Sequence, residues 1–428
     1  MLKKKLLLLK SVKARDFMVY GFGQAFNLIT PLLIIPYIVL VCGEEGLGKI
    51  GISMSMMFML IVIVDYGSYI KGVKEVALNR NDPKALQDIF SKVYALKFLL
   101  LAAVCGLTVP AIFIFPYFKD ESPVFLLSLF IIIGQFVNPG WFLQGIENFK
   151  WITITNIVSK LLYVFGILLF VHAKSDYIYV NFILGLGAIF GNACGVFWII
   201  RKYQFTGLKV EKQVLKDAFI ADFKFCISQL FLSMRQYAPI IIIGYLSGNF
   251  VAGQYKIIEQ IVMLFRTYAQ MFFRFVYGII CYEINLSKQK GLEIWKKYNG
   301  LNTVFIVLII AVLFFNSDLV LRFFKIDVSH LSYMNDLLRF SLIIPVLFAV
   351  STPLEQLMFA FDKNRIYINI TIVLTFVNIV LLIIAVQLFD LYGAILSIAV
   401  TELIIIFAYC FSLKHTLKTR NSSNGYND

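Results

Sequence analysis

Twelve apolar runs, each about 20 residues long or longer, restrict what this chain can fold into. They fall at roughly 17–42, 50–70, 94–116, 123–144, 151–171, 178–200, 219–246, 250–281, 298–315, 337–361, 366–388 and 392–412. A run of that length spans the hydrocarbon core of a bilayer as a helix. Hydrocarbon offers the backbone no partners, so a crossing segment must close its own hydrogen bonds, as a helix does. Composition agrees: 60% of the 428 residues are hydrophobic and 15% are charged, where soluble domains carry about 25% charge. The expected class is an all-α membrane protein of about twelve transmembrane helices.

The loops set the orientation. Lys and Arg gather in alternate segments, with six in 1–16, six in 71–97, five in 201–217 and four in 282–297. The opposite segments hold only Lys49, Lys119, Lys174, Arg322 and Lys325. This bias places both termini in the cytoplasm. The formal net charge of +14 is thus mainly an orientation signal, part of it able to attract anionic headgroups, and no nucleic-acid partner is implied. The start, "MLKKKLLLLKSVKARD", has four leucines before Lys10. That is too short for the apolar core of a signal peptide, and the stretch reads as a basic tail at the membrane surface. Segment 71–97 is polar and helix-forming after Pro83, which predicts a short cytoplasmic amphipathic helix feeding the third span.

Two stretches of the chain match. "PLLIIPYI" (31–38) followed by "GLGKI" (46–50) parallels "PIIIIGYL" (239–246) followed by "GQYKI" (253–257). Pro31 aligns with Pro239 and Tyr37 with Tyr245; Gly46 aligns with Gly253 and Lys49 with Lys256 after one deletion. Six spans separate the copies. An even number keeps the orientation, so the repeat is parallel, with its pseudo-two-fold axis along the membrane normal. It predicts a six-helix lobe over 1–200, a basic cytoplasmic linker over 201–217 and a second six-helix lobe over 218–428. Such proteins bind substrate between their halves and work by alternating access.

Catalytic and metal signatures are missing. "GEEGLGKI" (43–50) spells most of a phosphate-binding loop, but Ile50 stands where Ser or Thr should hold Mg²⁺, and Glu44 and Glu45 would repel phosphate. It reads as a glycine-rich turn between two spans. The six cysteines form no CxxC pair, and His172, His330 and His415 are far apart, so neither a metal site nor any cofactor is expected.

The polar residues within spans carry the functional reading. In the eighth span Glu259, Met263, Arg266, Gln270 and Arg274 are spaced by four, three, four and four, which lines them along one helical face. A face with two arginines should meet a hydrated cavity or a polar partner rather than lipid. Glu259 is one heptad from Arg266 and is a candidate partner for it. In the first span Tyr20, Gln24, Asn27 and Pro31 make a weaker stripe. Under the repeat, Asn27 corresponds to Arg235. Arg235, Arg266 and Arg274 are the expected cationic wall, with Gln24, Asn27 and Gln270 as polar contacts. Asp65, Glu259, Glu355 and Glu402 are candidates for ion coupling.

Three runs resemble a known family. They are "PLLIIPYIVLVCGEEGLGKIG" (31–51), "VDYGSYIKGVKEVALNRND" (64–82) and, most specifically, "WFLQGIENFKWITITNIVSK" (141–160). Together they resemble the polysaccharide flippases of the Wzx type, in the multidrug/oligosaccharidyl-lipid/polysaccharide exporter superfamily. Departures are Val39 and Leu40 where an Arg often follows, Lys74 for Arg and Phe149 for Met. The "WFLQGIENF" run is expected to be structural, with Trp141 as an interfacial anchor, Gly145 as a turn and Glu147 paired with Lys150. The resemblance implies a transporter rather than an enzyme, in the bacterial inner membrane. Its substrate would be an undecaprenyl-pyrophosphate-linked oligosaccharide of O antigen or capsule, carried from the cytoplasmic to the outer leaflet. Membrane lipid, a coupling ion (H⁺ or Na⁺) and the polysaccharide polymerase machinery are the implied partners. The arginines suit the pyrophosphate, and the amides suit the sugars. Two other readings are a drug or cation antiporter of the same superfamily, favoured by an acidic cavity, and a membrane polymerase or glycosyl transferase, favoured by a large external loop.

Overall fold

The computed structural model describes residues 2–207 and 210–418, with side chains described at Phe26 and from Ile29 onward, 224–225 and 415–418 excepted. The side chains of Gln24 and Asn27 lie outside that set. Among the described residues the regular structure is helical: α1 (Leu2–Asp65), α2 (Val73–Leu78), α3 (Pro83–Ile114), α4 (Pro116–Lys119), α5 (Ser122–Val137), α6 (Gly140–Gly145), α7 (Phe149–Phe170), α8 (Tyr177–Tyr203), α9 (Lys212–Ser247), α10 (Asn249–Leu286), α11 (Lys288–Phe315), α12 (Ser317–Phe323), α13 (Val328–Ser341), α14 (Ile343–Ala360) and α15 (Asn364–Lys418). Nine helical stretches among them are long and apolar enough to cross a membrane. Two are bent. Gly43 breaks α1 with φ 74° and ψ 175°, a region open to glycine alone, and Asp390 breaks α15 with φ 51° and ψ −129°.

The chain forms two compact units, Met1–Ile241 and Ile242–Asp428. In the first, α5 packs on α8, α8 on α7, and α7 on α1. Small residues allow the close approach: a Cβ at Gly185 would come within 2.4 Å of the Phe130 backbone, and one at Gly187 within 2.7 Å of the Ser159 carbonyl. The buried Asn181 joins three helices, donating to Ile50 O (3.0 Å), Ser53 Oγ (2.8 Å) and Ser128 Oγ (3.0 Å). In the second unit α10 packs on α11 and α14, and α14 on α15, around Leu357, Met358, Leu374, Ile405, Tyr409 and Leu413.

Several expectations change. The chain in "GEEGLGKI" turns at Gly43 alone, and Glu44 to Ile50 are already helical. The part of the segment after Pro83 is no separate amphipathic helix but the start of the third span itself. Asp82 caps α3 by accepting from Lys84 N and Ala85 N, Pro83 opens it, and it runs unbroken to Ile114. Trp141 is fully buried among Val76, Phe90, Tyr94 and Phe142 rather than anchored at an interface. Gly145 is helical, and its missing Cβ makes room for Val76, which one would meet at 2.5 Å. Arg80 holds Glu147 at 2.9 Å. The "WFLQGIENF" run therefore serves packing. Gly248, between α9 and α10, has φ 89° and ψ 170°, the backbone state of Gly43. Under the Pro31–Pro239 alignment, however, Gly43 falls opposite Val251, so the two bends are offset by three residues.

Candidate functional site

Charge at membrane depth is the organising feature of each unit. In the first, Lys97 of α3 is 1% exposed and meets Asp65 Oδ1 at 2.9 Å. It also donates to Gln135 O at 3.2 Å, and Gln135 Nε2 donates to Asp65 Oδ2 at 2.8 Å. Asn138 continues the chain, donating to Gln135 Oε1 at 3.2 Å. A buried ion pair persists only when further hydrogen bonds satisfy its remaining atoms, and Gln135 supplies them here. Asp65, a candidate coupling carboxylate, is thus engaged by a lysine.

That pair borders a cavity of about 110 Å³ also lined by Tyr66, Lys71, Lys92 and Asp222. Lys92 pairs with Glu75 at 2.6 Å and Lys71 with Asp222. Three lysines offset three carboxylates, so the cavity offers an anion no net charge. The start of α9 is tied to its rim: Tyr66 Oη donates to Phe219 O at 2.8 Å, and the two rings stack 5.0 Å apart.

Arg235 lies on α9, near the end of the first unit, and is half-buried. Two residues further along, Tyr237 leans on Phe58 with centroids 5.3 Å apart.

In the second unit the predicted stripe is present on α10, and its exposure changes along the helix. Glu259 pairs with Lys256 at 2.7 Å, the two side chains 10% and 12% exposed. Lys256, three residues before it on the adjacent turn, lies outside the predicted stripe. Arg266 is half-buried, its guanidinium 5.6 Å from the Phe348 ring centroid. Gln270 and Arg274 are exposed. Burial thus falls steadily toward the C-terminal end of α10, while Ile257, Ile258, Ile261 and Phe265 stay buried. A guanidinium seated on a ring keeps its edge donors in plane, the geometry that grips a phosphate with two bonds. The remaining carboxylates stand on adjacent helices: Glu355 on α14 is half-buried, and Glu402 on α15 is 3% exposed.

Two lysines escape a search for stripes. Lys97 sits at the edge of what reads as a cytoplasmic loop, yet it is buried. Lys160 lies halfway along α7, with no other charged residue between Trp151 and Phe170. The signal for both is a single lysine more than two turns inside a helix of spanning length.

Comparison with known proteins bears on what this arrangement serves. A family model described as "Polysaccharide biosynthesis protein" matches residues 14–277. A protein of Escherichia coli (strain K12) called "Putative O-antigen transporter" is 22% identical over 283 residues, 66% of this chain and 68% of that protein. A protein of the same name in Shigella dysenteriae is 23% identical over 416 residues, 95% of this chain and 98% of that protein. Among solved structures, the lipid II flippase MurJ in an inward closed conformation superposes with a TM-score of 0.73 at 13% identity, over 93% of this chain and 87% of MurJ. An inward-facing MATE family multidrug transporter of the MOP superfamily gives 0.70 at 13% identity, over 92% of this chain and all of that one. The fold is that of these transporters, and the resemblance read from the three motifs holds. The chain is a multi-pass integral membrane protein that belongs to the polysaccharide biosynthesis protein family.

Proposed function

We propose that this protein is a flippase that moves an undecaprenyl-pyrophosphate-linked oligosaccharide, the repeat unit of an O antigen or capsule, from the cytoplasmic to the outer leaflet of the bacterial inner membrane. The observation that carries the proposal is the stripe on α10, where Arg266 and Arg274 offer cations along a face that opens toward one end. A pyrophosphate needs such groups to offset the loss of its hydration, and Gln270 beside them suits a sugar hydroxyl. The names of the two relatives and of the MurJ neighbour point the same way.

The bends at Gly43 and Asp390 divide two of the nine long stretches, and α10 adds a more polar one. The proposed arrangement is therefore twelve spans, with both termini cytoplasmic by the placement of Lys and Arg. The head-group site opens alternately to the two sides, driven by H⁺ or Na⁺. Asp65, Glu259, Glu355 and Glu402 remain the candidates for coupling, Glu402 being the most buried among them. Arg235, Gln24 and Asn27 remain candidate contacts on the strength of the sequence pattern.

The test is genetic and chemical. Cells lacking this protein should accumulate lipid-linked oligosaccharide whose sugar is inaccessible to a periplasmic label. Restoration by the wild-type gene, but at best weakly by Arg266→Ala, is the expected result. Unchanged labelling in the deletion, with no other member of the family present, rejects the proposal. If Arg266→Ala restores labelling fully and the cells lose resistance to cationic drugs, the drug-exporter reading is favoured.

A further inference from the structure

We infer that Lys160 of α7, with Asn156 one turn before it, is a head-group contact, binding the pyrophosphate of the carried lipid. The inference rests on the flippase reading and assigns it a cation outside the arginine set.

Depth is the first argument. α7 has 22 residues and is about 33 Å long at 1.5 Å per residue. Lys160 stands eleven residues after Phe149 and ten before Phe170, so each end is about 15 Å away. A lysine stem can snorkel from near a helix end, but not from the middle of a span.

Direction is the second. Leu161, Phe165, Leu168 and Leu169 are all exposed, at 39%, 59%, 46% and 66%, and at 100° per residue they share one lipid-facing side of α7. Lys160 falls on the opposite side with Asn156, Tyr163 and Ile167, the last two buried. Its amine is therefore turned inward from lipid. The α8 contacts of α7 are made through Thr155, Ser159 and Gly166, and Thr153, one heptad before Lys160, packs so close to Gly23 of α1 that a Cβ there would meet it at 3.1 Å. At the other end Tyr37 Oη donates to Val171 O at 2.8 Å. These two contacts fix a parallel register that sets Lys160 level with the Asn27–Thr30 turn of α1.

Among the described residues, Lys160 also lacks an internal counter-charge. Lys160 has no hydrogen bond or ion pair among the described residues, and neither has Asn156. Neither α7 nor α8 contains an acidic residue, and before Gly43 α1 contains only Asp16, seven residues below Gly23. Lys97, by contrast, has Asp65 and Gln135. An inward lysine at mid-membrane that meets no anion among the described residues is explained by an anion that arrives. A lysine followed by an amide on one face matches a pyrophosphate with a sugar attached.

Full-length protein in nanodiscs is titrated with farnesyl pyrophosphate and with farnesol, and binding is read by quenching of the native tryptophans. Wild type should bind the pyrophosphate more tightly than the alcohol. Lys160→Met should weaken farnesyl pyrophosphate binding about tenfold, the scale of one charge-assisted hydrogen bond, and leave farnesol binding unchanged. Lys160→Arg should stay within about threefold of wild type. If Lys160→Met does not assemble, Lys160→Gln is measured instead, with the same expectation. Unchanged pyrophosphate binding in the Met or Gln variant overturns the inference while leaving the flippase reading intact. An equal loss for farnesol also overturns it, because the lysine would then shape the fold. A wild type that does not distinguish the two ligands overturns both this inference and the head-group reading it rests on.

Discussion

Lys97 and Lys160 are both lysines inside spanning helices of the first unit, and their surroundings differ completely. Lys97 is 1% exposed, with Asp65 at 2.9 Å and the Gln135 carbonyl at 3.2 Å. Lys160 keeps some exposure and has no such partner among the described residues. The cost of removing an ammonium from water is met in the first case by the fold itself. In the second it is left for something outside the chain. The comparison separates a charge that serves stability from one that serves binding, a distinction that the residue type alone does not make.

The comparison breaks most directly at Lys97. Lys97→Met leaves the half-buried Asp65 with its main counter-charge gone and should destabilise the protein by about 3 kcal/mol, read as a lowered thermal midpoint in detergent. The double variant with Asp65→Asn should recover much of that loss. A single variant as stable as wild type would remove the structural role. Next in size is Arg266→Ala, expected to slow transport about tenfold with normal membrane insertion, while Arg266→Lys keeps part of the rate. Transport equal to wild type in the alanine variant would mean that the α10 stripe does not touch the head group. Gly43→Ala isolates backbone conformation, because a Cβ there meets nothing within 4 Å. With φ at 74° it should destabilise by about 1–3 kcal/mol. Gly106→Ala, also in open space but inside α3, should be neutral or stabilising by under about 1 kcal/mol. The smallest effect sharpens the comparison from its other side: Lys160→Met should leave the thermal midpoint within the equivalent of about 0.5 kcal/mol of wild type, since no partner among the described residues is orphaned.

What could be read in the sequence follows from how each signal is encoded. Apolar run length marks the spans because hydrocarbon thickness sets it, and nearly every run lands on a helix. Periodicity exposes the α10 stripe because four polar residues recur on one face. Neither signal reaches Lys97 or Lys160. The Lys97 partner lies 32 residues away on another helix, and no local pattern joins them. Lys160 is a single residue, with no recurrence to detect; its inward direction shows only once the exposed leucines and phenylalanine opposite it are known. Trp141 fails for a related reason. An aromatic at the end of a span suits an interface, but Gly72, whose Cβ would meet the indole at 2.9 Å, and Phe90 enclose it instead. The pairing of Glu259 with Lys256 is a matter of reach: the two are three residues apart on adjacent turns.

Reconstitution tests the central claim most directly. Purified protein in proteoliposomes, loaded with undecaprenyl-pyrophosphate-linked oligosaccharide on one leaflet, is challenged with an impermeant glycosidase on the other side under an imposed ion gradient. The account predicts release of sugar well above that of protein-free vesicles, reduced by Arg266→Ala. Release at the protein-free rate, from protein shown to be folded and inserted, would contradict it.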